Sequence, residues 1–364
     1  MIGRHWTELD TPIVLVDLDR LERNIERMAA LARRHGVALR PHVKTHKSIA
    51  IAQRQIAAGA VGLTAAKLDE AEVFANAGFG DLFIAYELVT GTKLERATAL
   101  ARRVKLSFGV DSPEGIDAAA ASARQAGTTL RVRIEIDSGL HRCGVPPEGA
   151  AALAGRIAAR PELELEGVFT HAGHAYAAGS AKELDRIGEE EAQSVLRAAQ
   201  LMGSVQVVSV GNTPTATRTI AQPGVTEARP GNYVFYDGMQ VALGAAGAAD
   251  CALTVAATVI SRPEPGRAVV DAGAKTLGLD RGAHGTSSLP NYGSLVGTEG
   301  AVVRLSEEHG VLELPASSDL RVGEPVRILP NHACAVANLA DAYTVLRADL
   351  VVDRWPIDAA GAVH

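Results

Sequence analysis

The chain has 364 residues, 47% apolar and 21% charged, an ordinary globular composition with length enough for one large domain and a smaller one. A net charge of −6 gives no general attraction to nucleic acid or anionic membranes, so neither is expected as a partner. Three cysteines, Cys143, Cys251 and Cys334, make no disulfide framework, which suits a reducing cytoplasm.

The opening MIGRHWTELDTPIVLVDLD carries charges throughout and lacks the apolar core of a signal peptide. No apolar run reaches the ~18 residues needed to span a bilayer. From residue 13 to about 245, short β-branched runs alternate with Ala-rich helical stretches. The strand-like runs fall at 13–18, 39–45, 61–66, 81–87, 105–110, 130–137, 165–173 and 205–211. Between the first two, Leu21, Ile25, Met28 and Leu31 recur at helical spacing, and Gly36 is placed to end that helix. Eight strand–helix repeats predict an α/β fold, a closed (β/α)8 barrel of the TIM type over residues 12–245. A doubly wound open sheet is the alternative, but no GxGxxG follows the first strand. In such barrels the chemistry sits at the C-terminal strand ends, which here carry Lys44, Tyr86, Asp137, His171 and the 211–213 turn.

Beyond the Gly/Ala-rich stretch at 240–250, the runs alternate with period two, turn signals such as PEPG separate them, and no long helical pattern intervenes. Residues 246–364, with about 1–11, are predicted to form an antiparallel β domain.

Several segments carry chemistry. In RPHVKTHK (40–47), alternation along a strand would turn His42, Lys44 and His46 to one face and Lys47 away. A lysine at a barrel mouth loses its proton at modest cost and can then attack an aldehyde, although a solvated basic run is the plain alternative. The turn containing Gly211, Asn212 and Thr213, with Gly231, Asn232 and Tyr233 soon after, offers backbone N–H groups and hydroxyls to a phosphate. Arg142 leaves a strand through a glycine turn as a cation for a cofactor ring or a substrate carboxylate; a loop arginine on water is the ordinary reading. His171, His174 and Tyr176 gather three acid–base groups within six residues. His332 and Cys334, two apart on an extended segment, would project together and grip one divalent cation. Thiolate is a soft ligand, so zinc is favoured, with manganese or magnesium as alternatives.

These motifs, in this order, resemble the pyridoxal-phosphate (PLP) enzymes of the D-threonine aldolase and D-serine dehydratase family, with its alanine-racemase-like barrel (PLP fold type III). The match is carried by DTPIVLVDLDRLERNI, RPHVKTHK, EIDSGLHRCGV, THAGHAY, SVGNTPTA, EARPGNYVFYDG, DAGAKTLGLDRG and PNHACAVANL, nearly the whole chain. The resemblance implies a homodimer and a Schiff base on Lys44. It implies metal ligation by His332 and Cys334, with His171 or His174 near the metal. It also implies that Arg142 faces the PLP ring, that Gly211, Asn212, Thr213, Gly231 and Asn232 hold the phosphate, and that Tyr176 serves the substrate. His-x-Cys and HAGHAY tilt the expectation towards dehydration of D-β-hydroxy amino acids, with aldol cleavage as the alternative. A racemase without metal, a non-catalytic PLP-binding protein and a PLP-independent metal hydrolase are the rivals.

Overall fold

The computed structural model describes every residue except 204 and 284. In chain order, β1 (Ile13–Asp17) is followed by eight parallel strands: β2 (Ala38–Leu39), β3 (Leu63–Ala65), β4 (Asp81–Glu87), β5 (Lys105–Val110), β6 (Leu130–Ile136), β7 (Leu163–Thr170), β8 (Val207–Val210) and β9 (Glu227–Ala228). They lie in the order β2-β9-β8-β7-β6-β5-β4-β3, and a bridge between His42 and Thr64 joins the outer two into a closed barrel.

The predicted fold class holds, with corrections to which strands build the barrel. Ile13–Asp17, expected as its first strand, pairs instead with two strands of the C-terminal sheet. Val14 and Val16 pack on the main core while Leu15 faces a second apolar cluster. An apolar run buried on both faces fits either sheet, and its sequence does not say which. The eighth barrel strand is β9, whose two residues are too few for a periodic signal. The segment 39–45 is strand only at its start: Pro41 offers no ladder N–H, and Val43–Thr45 wind into a 3-10 turn.

Capping sets the first helix, Leu18–His35: Asp17 accepts the Arg20 N–H at 3.0 Å, and Gly36 closes it at φ 66°. Leu21, Ile25 and Met28 are buried as the spacing predicts.

Charged groups cross the barrel interior, where apolar layers are usual. Glu227 on β9 accepts from Arg133 on β6 at 2.6 Å, from Arg40 after β2 at 2.7 Å and from Ser209 on β8 at 2.7 Å. Arg133 also meets Glu166 on β7 at 2.9 Å, and Arg40 meets Asp81 on β4 at 2.6 Å. Burial alone would raise the Glu227 carboxyl, but Arg133 and Arg40 hold it at about 2. Paired on all sides, these charges avoid the cost of an isolated buried ion and tie non-adjacent strands below the mouth.

The rest of the chain adds β10 (Leu253–Glu264), β11 (Arg267–Val270), β12 (Gly293–Leu295), β13 (Ala301–Leu305), β14 (Gly310–Glu313), β15 (Pro325–Pro330), β16 (Ala342–Arg347) and β17 (Leu350–Pro356). With β1 they form a sheet in the order β11-β14-β13-β12-β15-β10-β1-β16-β17, and β11 also pairs with β10. All its pairings are antiparallel except β1 with β16. Short helices, Ala274–Leu277 and Ala333–Leu339, do interrupt this region. Among the described residues no helix is long and apolar enough to cross a membrane.

Candidate active site

A cavity of about 680 Å³ opens at the C-terminal ends of the barrel strands, and the β domain contributes to its wall. Lys44, in the 3-10 turn after β2, lines it, and no carboxylate reaches salt-bridge distance of its amine among the described residues. Burial pushes the amine's pKa down, Cys334 pulls it up, and Arg142 adds to the lowering. An amine so placed loses its proton more readily than an exposed lysine.

The other members of RPHVKTHK are arranged differently from the predicted alternation, because the 3-10 turn replaces a strand. His42 lines the cavity, its ring driven well below the ordinary value by burial and then by Lys44. His46 turns inward to Gln55 at 3.2 Å, where burial lowers it to about 3. Lys47, expected to point away, lines the cavity at φ 51°.

Gly211, Asn212, Thr213, Gly231 and Asn232 line the same cavity. The backbone N–H groups of Asn212, Thr213, Gly231 and Asn232 donate to no acceptor among the described residues, so four amides remain for an anion. The Gly211 N–H does not join them: it donates to Glu191 at 2.9 Å. Glycine is needed at both turns for room. A Cβ on Gly211 would sit 2.9 Å from the Arg229 guanidinium, and one on Gly231 would sit 2.9 Å from Thr45 Oγ1 and 3.0 Å from the His42 carbonyl. Tyr233 lies outside the lining; its N–H donates to Thr213 Oγ1 at 3.2 Å, and its hydroxyl accepts from Gln55 at 3.0 Å.

Glu191 was not singled out by the sequence. It is fully buried on helix Ala181–Met202 and also accepts from the Thr215 hydroxyl at 2.6 Å, bracing the 211–215 turn from behind. Burial raises its carboxyl to about 7. Its signal was present: it continues the buried stripe of Leu184, Ile187 and Gly188 at helical spacing.

His171 and Tyr176 both line the cavity. His171 Nδ1 meets the Gly211 carbonyl at 2.5 Å, and burial keeps the Tyr176 phenol protonated well above its ordinary range. His174 is not among the lining residues; its ring lies against Gly139. Asp137 likewise stays out of the cavity, accepting the Gly139 and His141 N–H groups to cap its own loop. Arg142 does line the cavity, 3.6 Å from Glu135. Tyr86 is there also, with the Lys67 ammonium 3.9 Å from its ring centre.

His332 and Cys334 both reach the cavity, though by a route other than a continuous extended segment. His332, still extended at φ −134°, follows β15, and Cys334 lies in the first turn of helix Ala333–Leu339. Asp280 holds His332 Nδ1 at 2.5 Å and thereby leaves Nε2 for a ligand. Burial opposes ionisation of Cys334, yet His332 draws its thiol below the ordinary value, and the Thr45 hydroxyl lies 3.3 Å from the sulfur. One imidazole nitrogen and one acidic thiol fit a soft divalent cation with positions left open. Buried Asp237 connects this pair to the anion turn: it accepts from Asn232 Nδ2 at 2.6 Å and from the Ala333 N–H at 2.9 Å. Neither Asp237 nor Asp280 was singled out by the sequence.

Comparison with known proteins agrees with this architecture. Residues 16–238 match the family model of the alanine racemase N-terminal domain, and residues 252–346 match that of a serine dehydratase domain. D-threo-3-hydroxyaspartate dehydratase of Delftia sp. is 39% identical over 95% of this chain and 97% of its own. D-threonine aldolase of an Arthrobacter species is 33% identical over 99% and 95% of the two chains. A solved structure of D-threo-3-hydroxyaspartate dehydratase, a cysteine-to-alanine mutant in the metal-free form, superposes with a TM-score of 0.91. It is 37% identical and covers 97% of this chain and 98% of that one.

Proposed function

The chain belongs to the family that joins an alanine racemase N-terminal domain to a serine dehydratase domain, and on that premise we propose that it is a PLP- and divalent-metal-dependent lyase of D-β-hydroxy amino acids. Dehydration of the D-serine dehydratase type is favoured over aldol cleavage of the D-threonine aldolase type, the second reading that its relatives support. The observation that carries the proposal is the shared cavity: a lysine amine with no carboxylate at salt-bridge distance and four backbone amides with no acceptor, both among the described residues, surround one space with a His–Cys pair.

In this reading Lys44 would hold PLP covalently, the amides of Asn212, Thr213, Gly231 and Asn232 would hold its phosphate, and Arg142 would face its ring. The chemistry PLP supplies when bound is stabilisation of negative charge at the substrate Cα. His332 Nε2 and Cys334 Sγ would hold the cation, zinc by ligand type or alternatively manganese or magnesium, and its chemistry is Lewis-acid polarisation of the β-hydroxyl. Lys44 has its proton affinity lowered by burial, so its Nζ gives up a proton more readily than an exposed lysine and is placed to move one within the cavity. Tyr176 keeps its phenolic proton and can donate it, and His171 is fixed through Nδ1 on the Gly211 carbonyl, which orients its ring in the cavity wall. His174, outside the lining, has a weaker claim as an acid–base group. We assign the protein to the cytoplasm as a homodimer, in keeping with its three unpaired cysteines and its family.

The test is to incubate purified protein with D-serine, D-threonine and D-threo-3-hydroxyaspartate, using the L-isomers as controls. Keto acid with ammonia from the D-isomers alone supports dehydration. Glycine with aldehyde would move the assignment to the aldolase, and interconversion of L- and D-isomers would move it to the racemase.

A further inference from the structure

Lys47, the second lysine of RPHVKTHK, has no part in the proposed chemistry, yet the fold commits heavily to it. It is buried, it holds a backbone conformation rare for residues with a side chain, and its ammonium meets the Glu70 carboxylate at 3.3 Å. The same ammonium donates to the carbonyls of Ala359 at 3.3 Å and Ala362 at 3.2 Å, and the Lys47 carbonyl accepts the Ala359 N–H at 3.0 Å.

Three more contacts pin the segment that Lys47 holds. Asp358 accepts the Ile49 N–H at 2.7 Å, Asp69 exchanges hydrogen bonds with the backbone of His364, and Ile357 and Ala359 are buried. This fixed path brings Ala362 and Val363 into the wall of the active-site cavity, where Ala66, Lys67 and Tyr86 also lie. Glu70 reaches that wall from the other side by accepting the Ala66 N–H at 2.6 Å. A surface tail needs neither a buried ion pair nor a costly φ. Both are accounted for if the position of the segment matters to what enters the cavity.

The geometry points to Ala362 and Val363 as the side-chain wall of the substrate site, with Lys47 as the positioning residue that holds their segment. The wall limits the size of the group on the substrate's β-carbon, and the small side chain of Ala362 sets that limit. This inference takes its substrates from the lyase reading above.

The experiment compares D-serine with the bulky D-threo-β-phenylserine on the cofactor- and metal-loaded enzyme. Lys47→Met keeps the length of the side chain and removes its donors. It is expected to raise the ratio of kcat/KM for the bulky over the small substrate about tenfold, through KM. Ala362→Phe narrows the cavity and should lower that ratio about tenfold. If Lys47→Met does not fold, a chain shortened after residue 360 tests the same wall and should shift the ratio upwards. A ratio within about twofold of the unaltered protein in every variant that folds overturns the proposal. If the unaltered protein turns over neither amino acid, the lyase reading fails by itself, and the hold of Lys47 on the 359–363 segment is then read from amide hydrogen exchange. Lys47→Met should speed exchange at the Ala359 amide, and unchanged protection there overturns the positioning role of Lys47.

Discussion

Asp280 meets His332 Nδ1 at 2.5 Å, so the ring is fixed with Nε2 as the nitrogen it can offer to the cavity. Orientation of this kind raises the basicity of a metal-ligating imidazole and removes the entropy of ring rotation. Asp280→Ala should therefore lower zinc affinity by roughly 10- to 100-fold while leaving the visible absorbance of bound PLP unchanged. Metal titration followed by elemental analysis reads the first, and a spectrum reads the second. Unaltered zinc affinity would show that the contact is merely a surface hydrogen bond.

Cys334 separates a ligand from an inert buried thiol. As a ligand, its replacement in Cys334→Asp should keep part of the turnover and shift the preferred metal from zinc towards manganese, since carboxylate is the harder donor. Chelation should abolish turnover, and added zinc or manganese should restore it. Cys334→Ala with a full metal complement by elemental analysis would remove it from the ligand set.

Lys44 and Lys47 make a sharp comparison because both line the cavity. Lys44→Ala should abolish the visible absorbance of PLP, while Lys47→Met should retain it. Absorption spectra after PLP addition and desalting decide the matter. Loss with Lys47→Met and retention with Lys44→Ala would reverse the assignment.

Glu191 predicts a pH dependence whose sign follows from burial. Its carboxyl titrates at about 7 in the fold, above its ordinary 4.5. Between those values the folded chain keeps a proton that the unfolded chain has released, so this contribution to stability is full at low pH and is lost as pH rises through about 7. Glu191→Gln cannot ionise and should shrink the fall in Tm across that window by roughly 2–4 °C. Thermal unfolding at the two ends of the window measures it, and an equal fall in both proteins counts against it.

Much of this arrangement was legible in the sequence, and the parts that were not share a cause. Strand–helix alternation gave the barrel, and capping residues gave the first helix its ends. Strand periodicity misplaced His46 and Lys47 because Pro41 diverts the backbone into a 3-10 turn, whose side chains do not alternate. His332 and Cys334 come together although the straight-segment argument does not apply, because a strand end and a first helical turn also bring the two side chains to one cavity. Asp280 gave little warning because its partner lies 52 residues away; Glu191 showed as a member of a buried helical stripe, but the turn it braces, 20 residues on, is brought to it only by the tertiary fold.

The parallel pairing of Leu15 with Thr344 carries a consequence for how the chain is made. β1 lies between β10 and β16, so a segment synthesised first is locked by one synthesised about 330 residues later. Until the last strands leave the ribosome, the edge of β1 that β16 later covers stays open, able to pair with any exposed strand nearby. Cutting the gene between the two sheets would therefore release two incomplete pieces, one with an orphaned strand and the other with a gap where that strand belongs. Their recovery as a soluble pair would depend on co-expression.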